Sequence, residues 1–401
     1  MRKDKYRLTL ISCFTAYIVQ AITINFVPLL FVTFSEEYGI ELSKITFIIT
    51  LCFILQLGVD LASVLFIDRI KTKTLAVAAD VFSAAGLIAL GLLPDAVTDK
   101  YPAIIVAVVL YSLGSGLLEV IISPLVEACP TDNKEAAMSL LHSFYSWGQA
   151  GVVLLSSVFF ALFGLSNRRL LSVIWAIVPA VNAFMFIKAP VPALIKDGEK
   201  KTPVGELFKN RMFILMLIMM LCAGASEQGV SQWASAFAQK GLGVSKTVGD
   251  LAGPTAFALL MAASRTFYGK KGAKIDLAAF MTGSCVLCVA SYLTASLSPL
   301  PALSLAGCAL CGLSVGIFWP GTLSMAGRSI SSGGGSMYAL LALAGDLGCA
   351  AGPTLAGAVS SASGDDLKTG LLAAIVFPAA LLAASVIYKK IEHNKNRKVG
   401  T

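Results

Sequence analysis

This sequence predicts an all-α membrane protein of twelve transmembrane helices, arranged as two pseudo-symmetric six-helix bundles. Three observations predict it: an apolar composition, twelve apolar runs of helical length, and a repeat that relates the two halves. Hydrophobic residues make up 57% of the 401 residues, charged residues only 13%, and the mean hydropathy is +0.80. A soluble domain has about 25% charged residues, so the composition excludes an ordinary soluble protein.

Twelve runs are long enough to cross a bilayer, because a transmembrane helix needs about 20 mostly apolar residues. We number these predicted segments 1 to 12, and they span 7–34, 43–67, 74–93, 102–127, 135–163, 169–188, 211–238, 246–268, 275–297, 301–327, 336–361 and 368–388. The first run continues through Phe34 without a small-residue cleavage site. This predicts a retained first helix and not a signal peptide.

The distribution of Lys and Arg predicts the orientation of the chain. Positively charged loops tend to stay in the cytoplasm, and most Lys and Arg residues fall in segments that are cytoplasmic if both termini are inside. Both termini are therefore expected in the cytoplasm, with the chain in the cell (inner) membrane of a bacterium. The net charge of +8 then reflects topology, and no nucleic-acid partner is expected.

The longest polar stretch, residues 189–210, divides the chain into two parts. It is rich in Lys and Pro and predicts a cytoplasmic central loop. The loop would join an N-terminal six-helix bundle (1–188) to a C-terminal six-helix bundle (211–390), with residues 391–401 as a cytoplasmic tail.

The two halves also resemble each other in sequence. Three pairs of stretches match in the same order and at a nearly constant offset: YGIELSKITF (38–47) with KGLGVSKTVG (240–249), FIDRIKTKTLAV (66–77) with FYGKKGAKIDLA (267–278), and LYSLGSGLLE (110–119) with LCGLSVGIFW (310–319). Each match is weak alone, but their order indicates a duplicated six-helix unit.

Twelve helices, two parallel repeats and a basic central loop resemble the plan of the major facilitator superfamily over essentially the whole chain. More narrowly, GLLEVIISP (116–124) and SRTFYGKKGAKID (264–276) resemble the fucose-permease-like branch of fucose:proton symporters. The resemblance implies alternating access, in which the two halves rock about a site near the bilayer midplane. It also implies a monomer that is sufficient for transport.

Four charged residues are expected to act in gating. The loop VLFIDRIKTKT (64–74) resembles a degenerate copy of the superfamily's cytoplasmic loop signature, to which Asp68 and Arg69 conform. Asp60 lies shortly before this loop. Arg265 ends segment 8 at the predicted cytoplasmic rim, where we expect it to pair with Asp276 or Asp60.

Three deep carboxylates, Glu119, Glu227 and Asp346, are candidates for proton coupling. An ionised carboxylate at bilayer depth costs several kcal/mol if it is left unpaired, so such residues are functional by default. In the fucose-permease-like branch the glutamate of helix 4 is implicated in proton-linked transport, and Glu119 matches that position. The structural alternative is that Glu119 bonds a hydroxyl such as that of Ser115, or a neighbouring helix, and only holds the bundle together.

Shallower acids are expected to be structural. Asp80, Glu127 and Asp276 lie within about two turns of a predicted cytoplasmic helix end, judged at 1.5 Å per residue. We expect them to be hydrated or paired with loop cations.

Amides and aromatic residues surround the deep acids in sequence. They are the candidate solute-binding residues: Asn25, Gln56, His142, Tyr145, Trp147, Gln149, Gln228, Gln232, Trp233 and Trp319. Amides exchange hydrogen bonds with hydroxyls, and an aromatic ring covers the apolar face of a sugar. The favoured function is therefore proton-coupled symport of a sugar or similar polar small solute.

The sequence is also compatible with other functions. A proton-coupled efflux antiporter for drugs or metabolites has the same fold, and so has a uniporter. Sodium is an alternative coupling ion, because carboxylate and amide oxygens also suit a hard cation. An enzyme is not expected, since the only histidines are His142 and His393.

The cysteine pairs CVLC (285–288) and CALC (308–311) have the spacing of a zinc site in a soluble protein. Both lie inside apolar segments, where free cysteine behaves as a small buried hydrophobe. We therefore expect them to pack, and we expect no metal and no cofactor.

Two further features concern helix packing. The glycine-rich runs GQAGVV (148–153) and GDLGCAAGP (345–353) allow close backbone approach and are expected to slide against the opposite half. Pro320 within Trp319-Pro320-Gly321 predicts a kink in segment 10, because proline removes a backbone hydrogen bond.

Overall fold

The computed structural model describes residues 5–66, 70–130, 134–192, 204–271, 275–330 and 334–399. Most of these residues are helical, with no strand among them, and eleven of their helical stretches are long and apolar enough to cross a membrane. The chain is an integral membrane protein. Helices suit hydrocarbon because every backbone N–H and C=O finds its partner within the same segment.

The α-helices of the described residues are numbered in chain order. They are α1 (Arg7–Asn25), α2 (Phe31–Glu37), α3 (Leu42–Phe66), α4 (Thr72–Ala96), α5 (Lys100–Ala128), α6 (Lys134–Phe163), α7 (Arg168–Lys188), α8 (Val204–Leu207), α9 (Arg211–Ser231), α10 (Ala234–Ala236), α11 (Lys246–Asp250), α12 (Ala256–Lys271), α13 (Leu277–Leu297), α14 (Pro301–Val315), α15 (Phe318–Ser329), α16 (Gly334–Ala362), α17 (Leu367–Ala373) and α18 (Val376–Val399).

The chain divides into two compact units. Unit 1 comprises Met1–Gly198 together with Ser245–Leu251, and unit 2 comprises Glu199–Val244 together with Ala252–Thr401. In unit 1, α4 packs along α5 and α7, while α1 packs against α5 and α6. In unit 2, α9 packs along α16, and α13 packs against α14 and α18.

The core of unit 1 forms where α1, α4, α5 and α7 meet. Ala16, Ala79, Ile121 and Phe186 are all completely buried there. Small residues of α1 and α4 share this core with larger residues of α5 and α7, and the small ones favour a close approach of the helices. This core holds the faces of α1 and α5 that carry polar side chains in a fixed register.

The first predicted segment is interrupted. α1 ends at Asn25, a 3₁₀ turn covers Val27–Leu30, and α2 resumes at Phe31. Pro28 lies inside the turn, where its missing N–H and its ring prevent an α-helix from continuing through it.

The eighth predicted segment is also interrupted, so the expectation of one continuous helix over 246–268 is wrong. A π-helical turn, Leu251–Thr255, separates α11 from α12 and contains Pro254. Single π turns occur mostly as local bulges in helices and are frequent at functional sites. This interruption leaves α12 with 16 residues, and it is not among the eleven long spans.

The short helix α11 belongs to unit 1. Lys246 Nζ donates to the Leu29 carbonyl at 2.6 Å and pairs with the Asp250 carboxylate at 3.0 Å. Ser157 Oγ lies 3.2 Å from Asp250 Oδ2 and donates to it, and Asp250 is completely buried. A buried ion pair with further hydrogen bonds therefore attaches residues from the second half of the sequence to α6 and to the turn after α1.

Closely packed glycines join α9 to α16 within unit 2. A Cβ atom on Gly348 would overlap the Leu221 carbonyl oxygen, and one on Gly352 would overlap the Ala225 carbonyl oxygen. The corresponding run in unit 1 behaves similarly, since Gly148 lies against Ile18 of α1. The expectation that these runs slide against the opposite half is wrong for these glycines, which pack inside their own units.

Asp80 also differs from the expectation. It is completely buried in α4, and its carboxylate accepts a hydrogen bond from Asn182 Nδ2 of α7 at 2.9 Å. Asp276 caps α13 by accepting hydrogen bonds from the backbone N–H groups of Ala278 and Ala279. The side chain of Glu127 is outside the described residues.

The break in segment 10 comes before the predicted kink. α14 ends at Val315 and α15 begins at Phe318, so Gly316 and Ile317 form the break and Pro320 lies in the first turn of α15. The first N–H groups of a helix have no intrahelical partner, so proline there costs no hydrogen bond. The break leaves the Gly316 carbonyl able to accept a side-chain donor.

Gly348→Ala is expected to destabilise the protein by about 1–3 kcal/mol, because the added methyl group forces α9 and α16 apart. Thermal unfolding in detergent measures the effect. Gly283→Ala in α13 is the matched control, since a methyl group added there would meet nothing within 4 Å. An equal effect of the two substitutions would contradict close packing at Gly348.

The contribution of Asp366 to stability is expected to depend on pH. Its carboxylate accepts a hydrogen bond from Thr369 Oγ1 at 2.5 Å and from the backbone N–H of Lys368 at 2.9 Å, and these bonds lower its pKa. Asp366→Ala should cost about 1 kcal/mol at neutral pH through loss of this N-cap. Because the folded-state pKa is lowered, the contribution is present above the unfolded-state pKa and disappears as pH falls through the folded value.

Denaturant unfolding at pH 7 and in acid checks this prediction, with the exposed Glu36→Ala as control. If the unfolding free energies of wild type and Asp366→Ala differ as much in acid as at pH 7, the charge of the Asp366 carboxylate does not contribute to the cap.

Candidate functional site

In unit 1, Glu119 of α5 faces Gln20 of α1. Gln20 Nε2 donates to Glu119 Oε2 at 3.1 Å. One helical turn away, the Tyr17 hydroxyl and Ser123 Oγ lie 2.8 Å apart. Residues three and four apart share a helix face, so Tyr17 and Gln20 on α1 meet Glu119 and Ser123 on α5 as two successive polar contacts.

Aromatic side chains connect this polar pair to α6. The Tyr17 ring meets the His142 ring edge-on, with centroids 5.4 Å apart. Nearer the start of α1, Phe14 stacks on Phe144 with centroids 4.9 Å apart. Glu119 is thus placed in a site to which α1, α5 and α6 all contribute.

The contact between Gln20 and Glu119 suits a group that changes its protonation state. The amide nitrogen donates to an ionised carboxylate, and after rotation of the amide its oxygen accepts from a protonated one. Ser115 does not have the role that the structural alternative assigned to it, because its hydroxyl has no hydrogen-bond partner among the described residues. Gln20 of the neighbouring helix α1 bonds Glu119, so this contact fits the structural alternative, in which Glu119 holds helices together, as well as proton coupling.

Other candidate residues of unit 1 occupy varied surroundings. Asn25 donates to the carbonyl of Ala21 in its own helix at 2.9 Å. Gln56 and Gln149 are buried, and Trp147 is 54% exposed. Tyr145 and Asp60 are half-buried, and Asp68 and Arg69 lie outside the described residues.

In unit 2, Glu227 of α9 forms an ion pair with Arg265 of α12. Glu227 Oε2 lies 3.2 Å from Arg265 Nη2, and the two side chains are only 5% and 13% exposed. Arg265 Nε donates to the Gly316 carbonyl at 3.3 Å. The guanidinium group is therefore held by a carboxylate on one side and by the break between α14 and α15 on the other.

This arrangement corrects the expected surroundings of Arg265. The arginine pairs with Glu227, and Asp276, one of the two expected partners, is occupied as a helix cap. Glu227 lies about 24 Å along α9 from Arg211, at a rise of 1.5 Å per residue. A long side chain lets Arg265 reach from α12 to a carboxylate deep in the membrane.

The other candidate residues of unit 2 lie on α9 or directly after it, on α15 and on α16. Gln232 Nε2 donates to Gln228 Oε1 at 3.0 Å, and both amides are buried. The Trp319 ring lies against Gly345, next to Asp346, which is 7% exposed. Trp233 differs from these residues, because it is completely buried and its indole N–H donates to the Pro353 carbonyl.

The sequence profile of the Major Facilitator Superfamily matches residues 9–353. The chain belongs to this superfamily. Members of this superfamily are membrane transporters, so this chain is a transporter and not an enzyme. No curated protein matches this superfamily member by sequence.

Solved structures of other superfamily members share its fold. A bacterial homologue of the human lysosomal transporter Spinster, in an inward-facing and unoccupied conformation, aligns with a TM-score of 0.77 at 15% identity, covering 97% of this chain and 99% of the other. The Escherichia coli fucose:proton symporter FucP aligns with a TM-score of 0.66 at 15% identity, covering 96% and 99%. The nucleoside transporter NupG aligns with a TM-score of 0.74 at 14% identity, covering 96% and 99%.

Sequence reasoning missed three residues of the unit 1 site: Tyr17, Gln20 and Ser123. Gln20 was the available signal, because an amide within an apolar transmembrane run requires a partner. Its spacing from Tyr17 already placed both on one helix face. The partner helix could not be deduced, since the sequence does not show which face of α5 meets α1.

Glu227→Gln and Arg265→Met are each expected to destabilise this transporter by about 3 kcal/mol, because each removes one partner of a buried ion pair. The double substitution should cost clearly less than the sum of the two. Thermal unfolding of the three variants in detergent measures the coupling. Strictly additive effects would mean that the 3.2 Å contact contributes no interaction energy.

Proposed function

We propose that this secondary transporter is a proton-coupled symporter for a sugar or similar polar small solute, with Glu119 as a proton carrier. The contact of Glu119 with the Gln20 amide at 3.1 Å is the observation that carries the proposal. An amide tolerates both protonation states of a carboxyl group, so Glu119 can gain and lose a proton without losing its partner.

Coupling follows from alternating access. A carboxyl group that is exposed to each side in turn takes up a proton on the more acidic side and releases it on the other. Glu227 and Asp346 are proposed as further proton-coupling residues, because both are buried acids in membrane-spanning helices.

The solute class is inferred from the side chains around these acids. Buried amides at Gln56, Gln149, Gln228 and Gln232 can exchange hydrogen bonds with hydroxyl groups. Trp319 supplies an aromatic face. The fucose and nucleoside cargoes named for two structural neighbours are hydroxyl-rich, and this similarity in solute chemistry supports the proposal.

Proton-coupled efflux of drugs or metabolites is the second candidate function. The occurrence of the same fold in transporters of different solutes favours keeping it, since the fold does not decide the direction of transport. Efflux sites are usually more apolar, and the amides of unit 2 favour uptake.

The surroundings of the transporter are part of the proposal. Both termini are proposed to lie in the cytoplasm of a bacterium, with the chain in the inner membrane and residues 189–210 as a cytoplasmic loop between two bundles. The transporter is proposed to work as a monomer. Asp60, Asp68 and Arg69 are proposed as gating residues on the cytoplasmic side.

Glu119→Gln is the decisive substitution. Proteoliposomes that contain wild type should accumulate a labelled solute from a panel of sugars and nucleosides when an inward pH gradient is applied. Glu119→Gln should abolish accumulation, because a glutamine cannot carry a proton, while exchange of solute across the membrane should survive.

Glu36→Gln is the matched control, because it makes the same change at an exposed carboxylate of α2. Accumulation by Glu119→Gln equal to wild type would remove Glu119 from the proton pathway. Accumulation that follows a sodium gradient instead would identify sodium as the coupling ion. Proton-driven export of the solute from loaded vesicles would favour the efflux function.

A further inference from the structure

The ion pair of unit 2 indicates the charge of the solute. We propose that Arg265 binds an anionic group of the solute, which is therefore a hydroxyl-bearing monocarboxylic acid such as a sugar acid, and that Glu227 is protonated when it yields Arg265 to this solute. The inference rests on the proposed function, proton-linked transport of a polar solute, and narrows its cargo.

Two different groups hold Arg265, a backbone carbonyl and a carboxylate, and this is the first support. Its Nε donates to the Gly316 carbonyl at 3.3 Å, and its Nη2 contacts the Glu227 carboxylate at 3.2 Å. A backbone carbonyl does not titrate and does not leave. The guanidinium group therefore keeps an anchor at the helix break when Glu227 moves away, and it remains oriented for another anion.

The second support is charge balance. Protonation of Glu227 removes one negative charge from beside a guanidinium group that is only 13% exposed. Leaving a buried charge without compensation is strongly unfavourable. A carboxylate that arrives with the proton restores the balance, so one proton and one monoanion bind together and add no net charge to the site. Binding of each then favours binding of the other, because linkage is reciprocal.

The third support is the match of the chemistry. The guanidinium fork is suited to carboxylate, and Glu227 already provides a carboxylate in that position. The buried amides of Gln228 and Gln232 follow Glu227 within two turns along the chain. They suit the hydroxyl groups of the solute, and Trp319 suits its apolar face. A neutral sugar would use the amides but would leave Arg265 to Glu227.

Other titratable groups lie on the helices that pack against α9. The Cys311 thiol of α14 is close enough to interact electrostatically with Glu227. Asp346 of α16 follows Gly345, whose carbonyl packs against Gly224 of α9. The Tyr292 hydroxyl of α13 donates to the Ser226 carbonyl at 2.8 Å. Asp346 is the ionisable acid among them, so Asp346→Asn belongs in the test.

The test compares matched neutral and acidic sugars in proteoliposomes of the full chain, under an inward pH gradient. The probes are D-glucose with D-glucuronate and D-galactose with D-galacturonate, and protein-free vesicles correct for leakage. We expect the acid of a pair to be accumulated in preference to the sugar. Arg265→Gln should raise the concentration for half-maximal uptake of the acid by roughly tenfold or more, through loss of a charge-assisted hydrogen bond.

Two further variants separate this role from a structural one. Glu227→Gln keeps the arginine and removes its competitor, so exchange of the acid should survive while its dependence on the pH gradient is lost. Arg328→Gln, at an exposed arginine of α15, is the matched control. The double variant Glu227→Gln/Arg265→Gln avoids an unpaired charge and should bind the acid as poorly as Arg265→Gln. In solute exchange without a pH gradient, where proton coupling is not required, Asp346→Asn should keep the preference for the acid.

The outcomes distinguish this inference from the proposed function. Accumulation of the neutral sugars in preference to their acids, or acid uptake unchanged in Arg265→Gln, overturns the inference and leaves proton symport standing. Loss of acid preference in Asp346→Asn would show that Asp346, and not Glu227, is the acid linked to solute binding. This result also overturns the inference. Absence of gradient-driven accumulation of every probe contradicts proton symport and the inference together.

Discussion

The hydrocarbon interior supplies no hydrogen-bond partners, and this constraint governs the whole structure. It forces the backbone into helices, whose N–H and C=O groups pair within each segment. It also makes a buried acidic group without a partner costly, so Asp80 meets Asn182 and Glu227 meets Arg265. Where a helix is interrupted, as at Gly316, the carbonyl that becomes available accepts a side-chain donor. Broken helices and buried polar groups therefore occur together.

The two units place different partners beside their buried carboxylates. In unit 1 a carboxylate faces an amide, Gln20, which accommodates either protonation state. In unit 2 a carboxylate faces a guanidinium group, which stays charged and favours an anion beside it. The free-energy cost of protonation therefore differs between Glu119 and Glu227. A proton alone suffices to neutralise the first, whereas the second needs a compensating negative charge.

Much of the fold could be predicted from the sequence, because a bilayer leaves few alternatives for an apolar run of 20 or so residues. The interruptions of the helices were harder to predict from the sequence. Pro254 was visible in segment 8, but a proline does not say whether a helix kinks, breaks or forms a π turn. The deep acids Glu119 and Glu227 were identifiable from their setting in apolar runs. Their partners Gln20 and Arg265 were not, because helix rotation and side-chain reach are decided by packing between segments far apart in the chain.

The place of α11 has a consequence for synthesis in the cell. Ser157 and the Leu29 carbonyl obtain their contacts from Asp250 and Lys246, which leave the ribosome long after the rest of unit 1. The N-terminal unit is therefore completed only when the chain beyond Val244 has emerged. Until then, polar groups that the finished protein uses in those contacts must remain hydrated or find temporary partners. The two halves of this duplicated protein are repeats in sequence without being independent in assembly.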